Sequence, residues 1–422
     1  MINVVVLTPW FPNRPGDAAG AFVADSALAV TRASCKVGVL VVRPWLPRRC
    51  QRFAGKMTRG DVCTAAFPLA ALKMMRVPTL PRLILRPMTD LVSDWSIEIA
   101  LEHIIHAIAA DVIHVQTEGL IPIAARVARR LQLPFVVTIH GINMNPHFLH
   151  SPYQKRRLRP ALAAADRVIL VGEPIREFFK GYIGSDRNFQ IVPNGITIPP
   201  FKLDRSAFAN GPRRFVSVSN LQEGKGIDLT LLSLARLQGE GVSHWTYRII
   251  GEGQERKTLL KLTRDLGLAD KVKFVGPIRH SEIFNQLADN EIFVLPSYRE
   301  AFGIAYLEAM AVGLLTVGVI GEGPSQFIRN EKNGVLVPPR DLDALVASLR
   351  NILTGDHGRW WEIALEGQRT VQDFYTWDNH ATQLIEVYKH VTRSSKIEQE
   401  PGQTTRGWLP FAATKKSRPR TN

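Results

Sequence analysis

Short apolar runs recur along the chain, each closed by turn residues. Val4–Leu7 is the first, bounded by Pro9 and Pro12. A β-branched run of this length reads as a strand buried on both faces. A loop rich in Gly, Pro and Asp follows at Asn13–Gly20, then a helical pattern from about Ala21 to Thr31, then a second run at Val37–Val42. Strand, loop, helix, strand predicts a parallel α/β sheet. Val112–Val115, Phe135–Thr138 and Val168–Val171 continue it, with helical patterns at Asp94–Ala109 and Leu120–Leu131. A second series starts near residue 214. Its strands are Phe215–Ser219, Tyr247–Ile250, Val272–Val275, Ile292–Leu295 and Leu315–Val319, and its helices include Asp228–Gln238 and Ala305–Val312. Between the series, Pro199–Pro212 is rich in Pro, Gly, Asn and Asp and reads as a linker. The expected architecture is therefore α/β, with two doubly wound domains facing a cleft. The first covers 1–198 and the second 199–375. Ligands in such sheets lie at the carboxyl ends of the strands.

Composition excludes some classes. Over 422 residues, 45% are hydrophobic and 22% charged, so the chain buries real cores and is neither wholly disordered nor a disulfide miniprotein. Cys35, Cys50 and Cys63 offer no zinc spacing and no disulfide framework, in keeping with a reducing compartment. The opening Met1–Leu7 is too short for a signal-peptide core, and no run approaches the ~20 apolar residues that span a bilayer. The expectation is a cytoplasmic protein, at most peripheral at the inner face of the plasma membrane. The net charge of +15 is local: residues 32–90 carry 12 Lys/Arg against 2 Asp/Glu, residues 392–422 carry 7 against 2, and the remainder balances. The tail from 392, basic and polar, is expected to be disordered.

Four segments carry candidate chemistry. In Ser219-Asn220-Leu221-Gln222-Glu223-Gly224-Lys225-Gly226 a strand ends in a Gly-rich loop holding one Lys. Glycines let backbone N–H groups approach phosphate and Lys adds a point charge; a plain surface turn is the other reading. Around Glu300 and Glu308, Gly303 opens a helix whose free N–H groups suit a diphosphate, and Glu308 can accept hydrogen bonds from vicinal ribose hydroxyls. An ordinary solvated helix Glu is the alternative. His140 follows the strand Phe135–Thr138 closely and is either structural or directed into the cleft. Gly16 and Gly20, in the first strand–helix loop, allow close approach of a ligand. Gly251-Glu252-Gly253 lacks the third Gly of a dinucleotide site, and Asp341-Leu342-Asp343 reads as a helix start and not a metal site.

Together, and in this order, these segments resemble the retaining glycosyltransferases of family 4 (glycosyl transferases group 1), which have the GT-B fold. The resemblance runs from residue 1 to about 390. It rests most on Val192-Pro193-Asn194-Gly195-Ile196, Leu221–Gly226, Gly251-Glu252-Gly253, Lys273-Phe274-Val275-Gly276, the Glu300…Glu308 pair, Glu308-Ala309-Met310-Ala311 with Gly313, and Asn333-Gly334-Val335-Leu336-Val337. It implies that the donor is a nucleotide-diphosphate sugar and that no metal or other cofactor is needed. Lys225 would meet the donor diphosphate, Glu308 the ribose, His140 the donor sugar, and Glu300 with the Phe302–Gly303 backbone the sugar and phosphate. Gly16 and Gly20 would lie against the diphosphate, with Asn220, Gly224 and Gly251 in the donor loops. A helix over 376–391 would cross back onto the first domain. The chain departs from the family at Asn220, where Arg is common, so that Arg299 or another cation would have to compensate. The loop 321–326, Gly-Glu-Gly-Pro-Ser-Gln, lacks a carboxylate at the usual place.

Residues 43–49 and 73–88 mix Arg with apolar side chains and Trp45, which suits an interface with anionic lipid; a solvated basic flank is the other reading. The leading expectation is transfer of a hexose to a lipid-linked glycan in cell-surface polysaccharide (exopolysaccharide) biosynthesis. A soluble small-molecule acceptor and a non-catalytic GT-B partner subunit are the alternatives. Nucleic acid is not an expected partner, because the basic segments match no recognition module.

Overall fold

The structure, a computed structural model, describes residues 1–45, 62, 64–78, 86–141, 152–199 and 213–399. The first sheet holds β1 (Asn3–Thr8), β2 (Lys36–Trp45), β3 (Ala71–Pro78), β4 (Val112–Val115), β5 (Phe135–Ile139), β6 (Arg167–Leu170) and β7 (Phe189–Ile191). Its helices are α1 (Ala21–Arg32), α2 (Arg86–Ile108), α3 (Ile121–Leu131), α4 (Pro152–Ala163) and α5 (Arg176–Ile183). The strand order is β3-β2-β1-β4-β5-β6-β7, and the pairings are parallel. Alternation along β1 shows why these runs are apolar throughout. Val5 and Leu7 face the core under α2 to α5, and Val4 and Val6 face the core under α1.

The second sheet holds β8 (Arg213–Val218), β9 (Trp245–Ile250), β10 (Val272–Gly276), β11 (Ile292–Val294), β12 (Leu315–Val319) and β13 (Val335–Val337). Its order is β10-β9-β8-β11-β12-β13, again parallel. The helices are α6 (Ile227–Gly239), α7 (Arg256–Asp265), α8 (Ile283–Ala288), α9 (Ile304–Val312), α10 (Leu342–Thr354) and α11 (His357–Phe374). Asp341 caps α10, its side chain accepting from Ala344 N–H at 2.9 Å, as a helix start should.

The last described helix, α12 (Trp377–Gln399), packs on the first domain against α1. His380 bonds Ser26 at 2.8 Å and the Pro193 carbonyl at 2.8 Å. The helix runs on through 392–399, into the stretch expected as tail. Residues 400–422 and most of the linker Pro199–Pro212 lie outside the described residues, as do Cys50 and Cys63; Cys35 is a free, buried thiol.

Part of the basic segment lies among the described residues. Ala71–Pro78 is a β-strand at the sheet edge, with Lys73 and Arg76 exposed, and charged residues on an edge strand discourage sheet-to-sheet pairing. Arg43 is turned inward and bonds Asn13 and the Phe11 carbonyl, so it is not a lipid contact. Residues 46–49 and 79–85 lie outside the described residues.

Candidate active site

Each sheet reverses direction once, and the candidate residues gather at those two points. In the second domain the reversal lies between β8 and β11, so the loops leaving these neighbouring strands are brought together. The β8 loop carries Asn220, Gly224 and Lys225, and the β11 loop carries Arg299, Glu300, Phe302 and Gly303. Tyr298 N–H donates to the Gly224 carbonyl at 2.9 Å, and Ser297 Oγ donates to the same oxygen at 3.1 Å. Gly226 is held tightly here: a Cβ would lie 2.3 Å from the Pro296 carbonyl oxygen. Across this junction Lys225 Nζ donates to Glu300 Oε2 at 2.8 Å, each side chain being largely but not wholly covered (19% and 15% exposed).

Glu300 is fixed from below. Its N–H donates to Glu322 Oε2 at 2.8 Å, and its carbonyl accepts from Gly323 N–H at 2.7 Å. The loop 321–326 thus supplies a carboxylate after all, at Glu322, used to hold backbone. Arg299 lies exposed against Gly224, whose Cβ would stand 3.1 Å from its Cδ. Among the described residues Arg299 has no carboxylate partner, and it sits beside the loop where Asn220 leaves positive charge wanting. Gly303 takes a left-handed conformation (φ 98°) as the N-cap of α9, with no side chain capping the free N–H groups. Phe302 is buried against Phe327 and Tyr375, which leaves its backbone to face the loop. Gly251 has a packing reason of its own, since a Cβ there would lie 1.8 Å from the Ser219 carbonyl oxygen.

Glu308, one and a half turns into α9, is not a solvated helix residue. It is buried (6% exposed) and lines a cavity of about 190 Å³ between the domains, with Asp25, Phe22, His280, Ala305 and Trp377. His280 Nδ1 stands 3.6 Å from Glu308 Oε1, and Nε2 stands 3.9 Å from Asp25 Oδ2. Burial, with the Asp25 charge adding to it, pushes the Glu308 carboxyl up to about 8. Burial pushes Asp25 up to about 6, against the pull of Arg32.

The first sheet reverses between β1 and β4. The loop after β1 carries Gly16 and Gly20; Gly20 is the left-handed N-cap of α1, where a Cβ would meet Phe11 N at 2.5 Å. The Gly16 carbonyl accepts from His280 N–H at 3.2 Å, across the cleft. A second bridge joins the domains where Glu173 N–H donates to Gln326 Oε1 at 2.9 Å. His140, at the end of β5, packs edge-on against Phe22, which lines the Glu308 cavity. Its Nε2 lies 2.6 Å from Gln116 Oε1, so Nε2 carries the proton and Nδ1 is left as an acceptor with no partner among the described residues. Burial, then the neighbouring His380, pushes its pKa down to about 3, so the ring is neutral.

Behind His140 a polar chain runs into the fold. Gln116 Nε2 lies 3.2 Å from His114 Nε2, which also bonds Thr138 Oγ1 at 2.7 Å, and His114 Nδ1 bonds Tyr388 Oη of α12 at 2.6 Å. Sequence reasoning did not single out Gln116, His280, Asp25, Glu322 or Gln326. Gln116 and His280 follow strands, and the strand-end argument applied to His140 would have found them; a lone Asp on a helix gives no such signal.

Among the described residues no helix is long and apolar enough to cross a membrane. Residues 2–198 match the family description Glycosyltransferase Family 4, and residues 200–360 match Glycosyl transferases group 1. The glycogen synthase of Mycobacterium tuberculosis is 26% identical over 303 residues, 68% of this chain and 71% of that protein. The GDP-mannose-dependent α-(1-6)-phosphatidylinositol monomannoside mannosyltransferase of Mycolicibacterium smegmatis is 27% identical over 282 residues, 63% of this chain and 72% of that one. Of solved structures, Anabaena HepE in complex with UDP-glucose matches with a TM-score of 0.68 at 18% identity, over 92% of this chain and 100% of that one, which shows a shared fold. Two family matches that meet at the domain junction, on two doubly wound sheets that face a common cleft, place this chain in glycosyltransferase family 4, as a glycosyltransferase of GT-B fold.

Proposed function

We propose that the protein transfers a hexose from a nucleotide-diphosphate sugar to a glycan acceptor, with retention at the anomeric carbon, in cell-surface polysaccharide biosynthesis. The observation that carries this reading is the Lys225–Glu300 pair, set in the loop that leads into the N-terminus of α9, the helix that carries buried Glu308. The bond between C1 and the phosphate oxygen breaks, and its electron pair goes to that oxygen. Lys225 leaves Glu300 for the diphosphate, with the N–H groups at Gly303 and exposed Arg299 sharing the new charge. Glu300, released, faces the sugar hydroxyls. His140 accepts from a sugar hydroxyl at Nδ1, and Glu308 takes the ribose. The acceptor hydroxyl forms its bond to C1 on the face the phosphate leaves, and passes its proton to the leaving phosphate oxygen. Protein groups carry the charge in this scheme, and it calls on no metal. A nucleotide-sugar donor is in keeping with the relatives, whose names include GDP-mannose dependence and a UDP-glucose complex.

The acceptor we propose is lipid-linked and met at the inner membrane face. Leu91, Val92, Trp95 and Ile99 of α2 are 74%, 67%, 65% and 49% exposed, and their spacing puts them on one helix face, an apolar strip on the acceptor-side domain.

The test is a donor screen on the purified protein, with product anomers assigned by NMR. Wild type should consume one nucleotide sugar and give the donor's own anomeric configuration, and Glu300→Ala should not consume it. Inverted product overturns retention, and a Glu300→Ala protein as active as wild type overturns the site.

A further inference from the structure

Away from the cleft, α4 and α5 leave an open groove of about 570 Å³ on the outer face of the first sheet. Lys155, Arg156 and Arg159 of α4 form one wall, Phe178 and Tyr182 of α5 the other, and among the described residues no acidic side chain lines it. Among the described residues neither Lys155 nor Arg156 has an ion-pair partner. The contrast is Arg157 on the same helix, which is tied to Asp94. The rings of Phe178 and Tyr182 lie one turn apart and nearly parallel, 15° between planes, as one aromatic strip.

Beside those rings, on the same helix, Gly181 also lines the groove. A glycine inside a helix costs about 1 kcal/mol relative to alanine. Its φ is not left-handed, and among the described residues a Cβ would meet no atom within 4 Å. The space a side chain would fill is the groove itself. Helix stability is given up where the effect is to keep the groove floor bare.

An aromatic strip takes the C–H face of a sugar ring, and unpaired Arg and Lys take carboxylate or phosphate. We propose that the α4–α5 groove binds an anionic saccharide, whose sugars carry carboxylate or phosphate groups, at a site separate from the donor cleft. The groove is also placed to serve the cleft. Helix α5 starts just after Glu173, which bridges to Gln326, and Tyr182 stands six residues beyond the helix start, about 9 Å at 1.5 Å per residue. An acidic glycan held there would have its growing end at the cleft. That last step rests on the transferase reading; binding in the groove does not.

The test is calorimetric titration of the full chain with tetragalacturonate, against neutral maltotetraose, inorganic phosphate and a thymidine tetranucleotide at matched ionic strength. Tetragalacturonate should bind at least tenfold tighter than the other three. The double variant Lys155→Glu/Arg156→Glu should weaken it at least tenfold. Gly181→Leu, which fills the groove with a good helix former, should do the same while leaving the melting temperature unchanged or raised. The proposal is overturned if maltotetraose or phosphate binds as well, if the oligonucleotide binds as well or better, or if affinity survives the charge-reversed variant. Donor consumption, measured on the same samples, separates the two readings: groove binding without any donor consumption leaves the groove standing and removes the transferase, and the reverse removes the groove alone.

Discussion

On the second-domain wall of the cleft, Lys225 and Glu300 are charged, paired at 2.8 Å and partly open to water. On the first-domain wall, Gln116 and His114 are buried, His140 is half-buried, and all three are uncharged, the two imidazoles pushed down to about 3 by desolvation. Both walls sit where a parallel sheet reverses, so topology alone does not set their character. Solvent access does. A charged pair near water can be separated by an incoming phosphate at little cost, because water and ligand take over its partners. A buried neutral network cannot be rearranged cheaply and serves to hold one ring in one orientation. One wall is built to exchange partners and the other to keep them.

The largest expected effect tests the exchanging wall. Lys225→Ala removes a group meant for the leaving phosphate, and kcat should fall on the order of 10²–10³-fold, as for loss of one preorganised charge-stabilising donor. Because the pair is largely covered, Lys225→Ala also leaves the Glu300 carboxylate without its cation, and the melting temperature should fall as well. A rise in KM with kcat unchanged would mean that Lys225 binds donor and transition state equally, and the contrast between the walls would weaken.

The keeping wall makes a smaller and differently shaped prediction. Gln116→Ala frees the His140 ring and should cost about tenfold in kcat, with donor KM nearly constant. Gln116→Glu sharpens the test. In the wild type, His140 stays neutral and puts no inflection into kcat/KM between pH 5 and 8. A carboxylate at position 116 favours the imidazolium, and activity should now drop as pH falls through mildly acidic values. A wild-type profile that Gln116→Glu leaves unaltered would show that this hydrogen bond does not set the state of His140.

The same contrast explains what the sequence disclosed. The strand runs were legible because strands of a parallel sheet are buried on both faces, and Val4–Leu7 or Leu315–Val319 has no polar interruption. The Glu300 loop was legible because Gly303, Glu300 and Glu308 are adjacent in the chain. Of the keeping wall only His140 was, because the wall's bonds join residues far apart, such as His114 to Tyr388 and Gln116 to His140. Ala71–Pro78 was not read as a strand for a related reason: an edge strand is half-solvated, and its Lys73 and Arg76 break the apolar run that marked the inner strands.

Glu308 lies between the two behaviours, and stability against pH exposes it. Its carboxyl is raised from 4.5 to about 8 in the fold. Below pH 4.5 the carboxyl is protonated folded or unfolded, and the fold bears no penalty. From there to about 8 the unfolded chain releases a proton that the fold retains, so stability falls with rising pH, by an amount on the order of a few kcal/mol. Glu308→Gln should flatten that fall in the melting temperature between pH 5 and 8. Asp25, raised to about 6, adds a like slope over a narrower window at the acid end. If the variant melts with the wild-type slope, Glu308 is ionised in the empty cleft and belongs with Lys225 and Glu300.

The smallest effect concerns a surface outside both walls. Leu91, Val92, Trp95 and Ile99 are well exposed, so replacing them costs the fold little, within about 0.5 kcal/mol. Buried in a lipid interface they would contribute roughly 25 cal/mol per Å² of apolar area. Lys73 and Arg76, on the edge strand of the same domain, would add about 1 kcal/mol each against anionic lipid. Wild type should therefore sediment with vesicles rich in anionic lipid at low salt, and less so as salt rises. Trp95→Ser should reduce the bound fraction several-fold at every salt concentration, whereas Lys73→Gln/Arg76→Gln should act mainly at low salt. Turnover of a water-soluble acceptor analogue should be unchanged in both variants, because neither touches the cleft. Wild type that stays in the supernatant at low salt removes the membrane from the proposal. The charged pair and the buried network would then remain as the whole of the catalytic argument, with an acceptor that reaches them from solution.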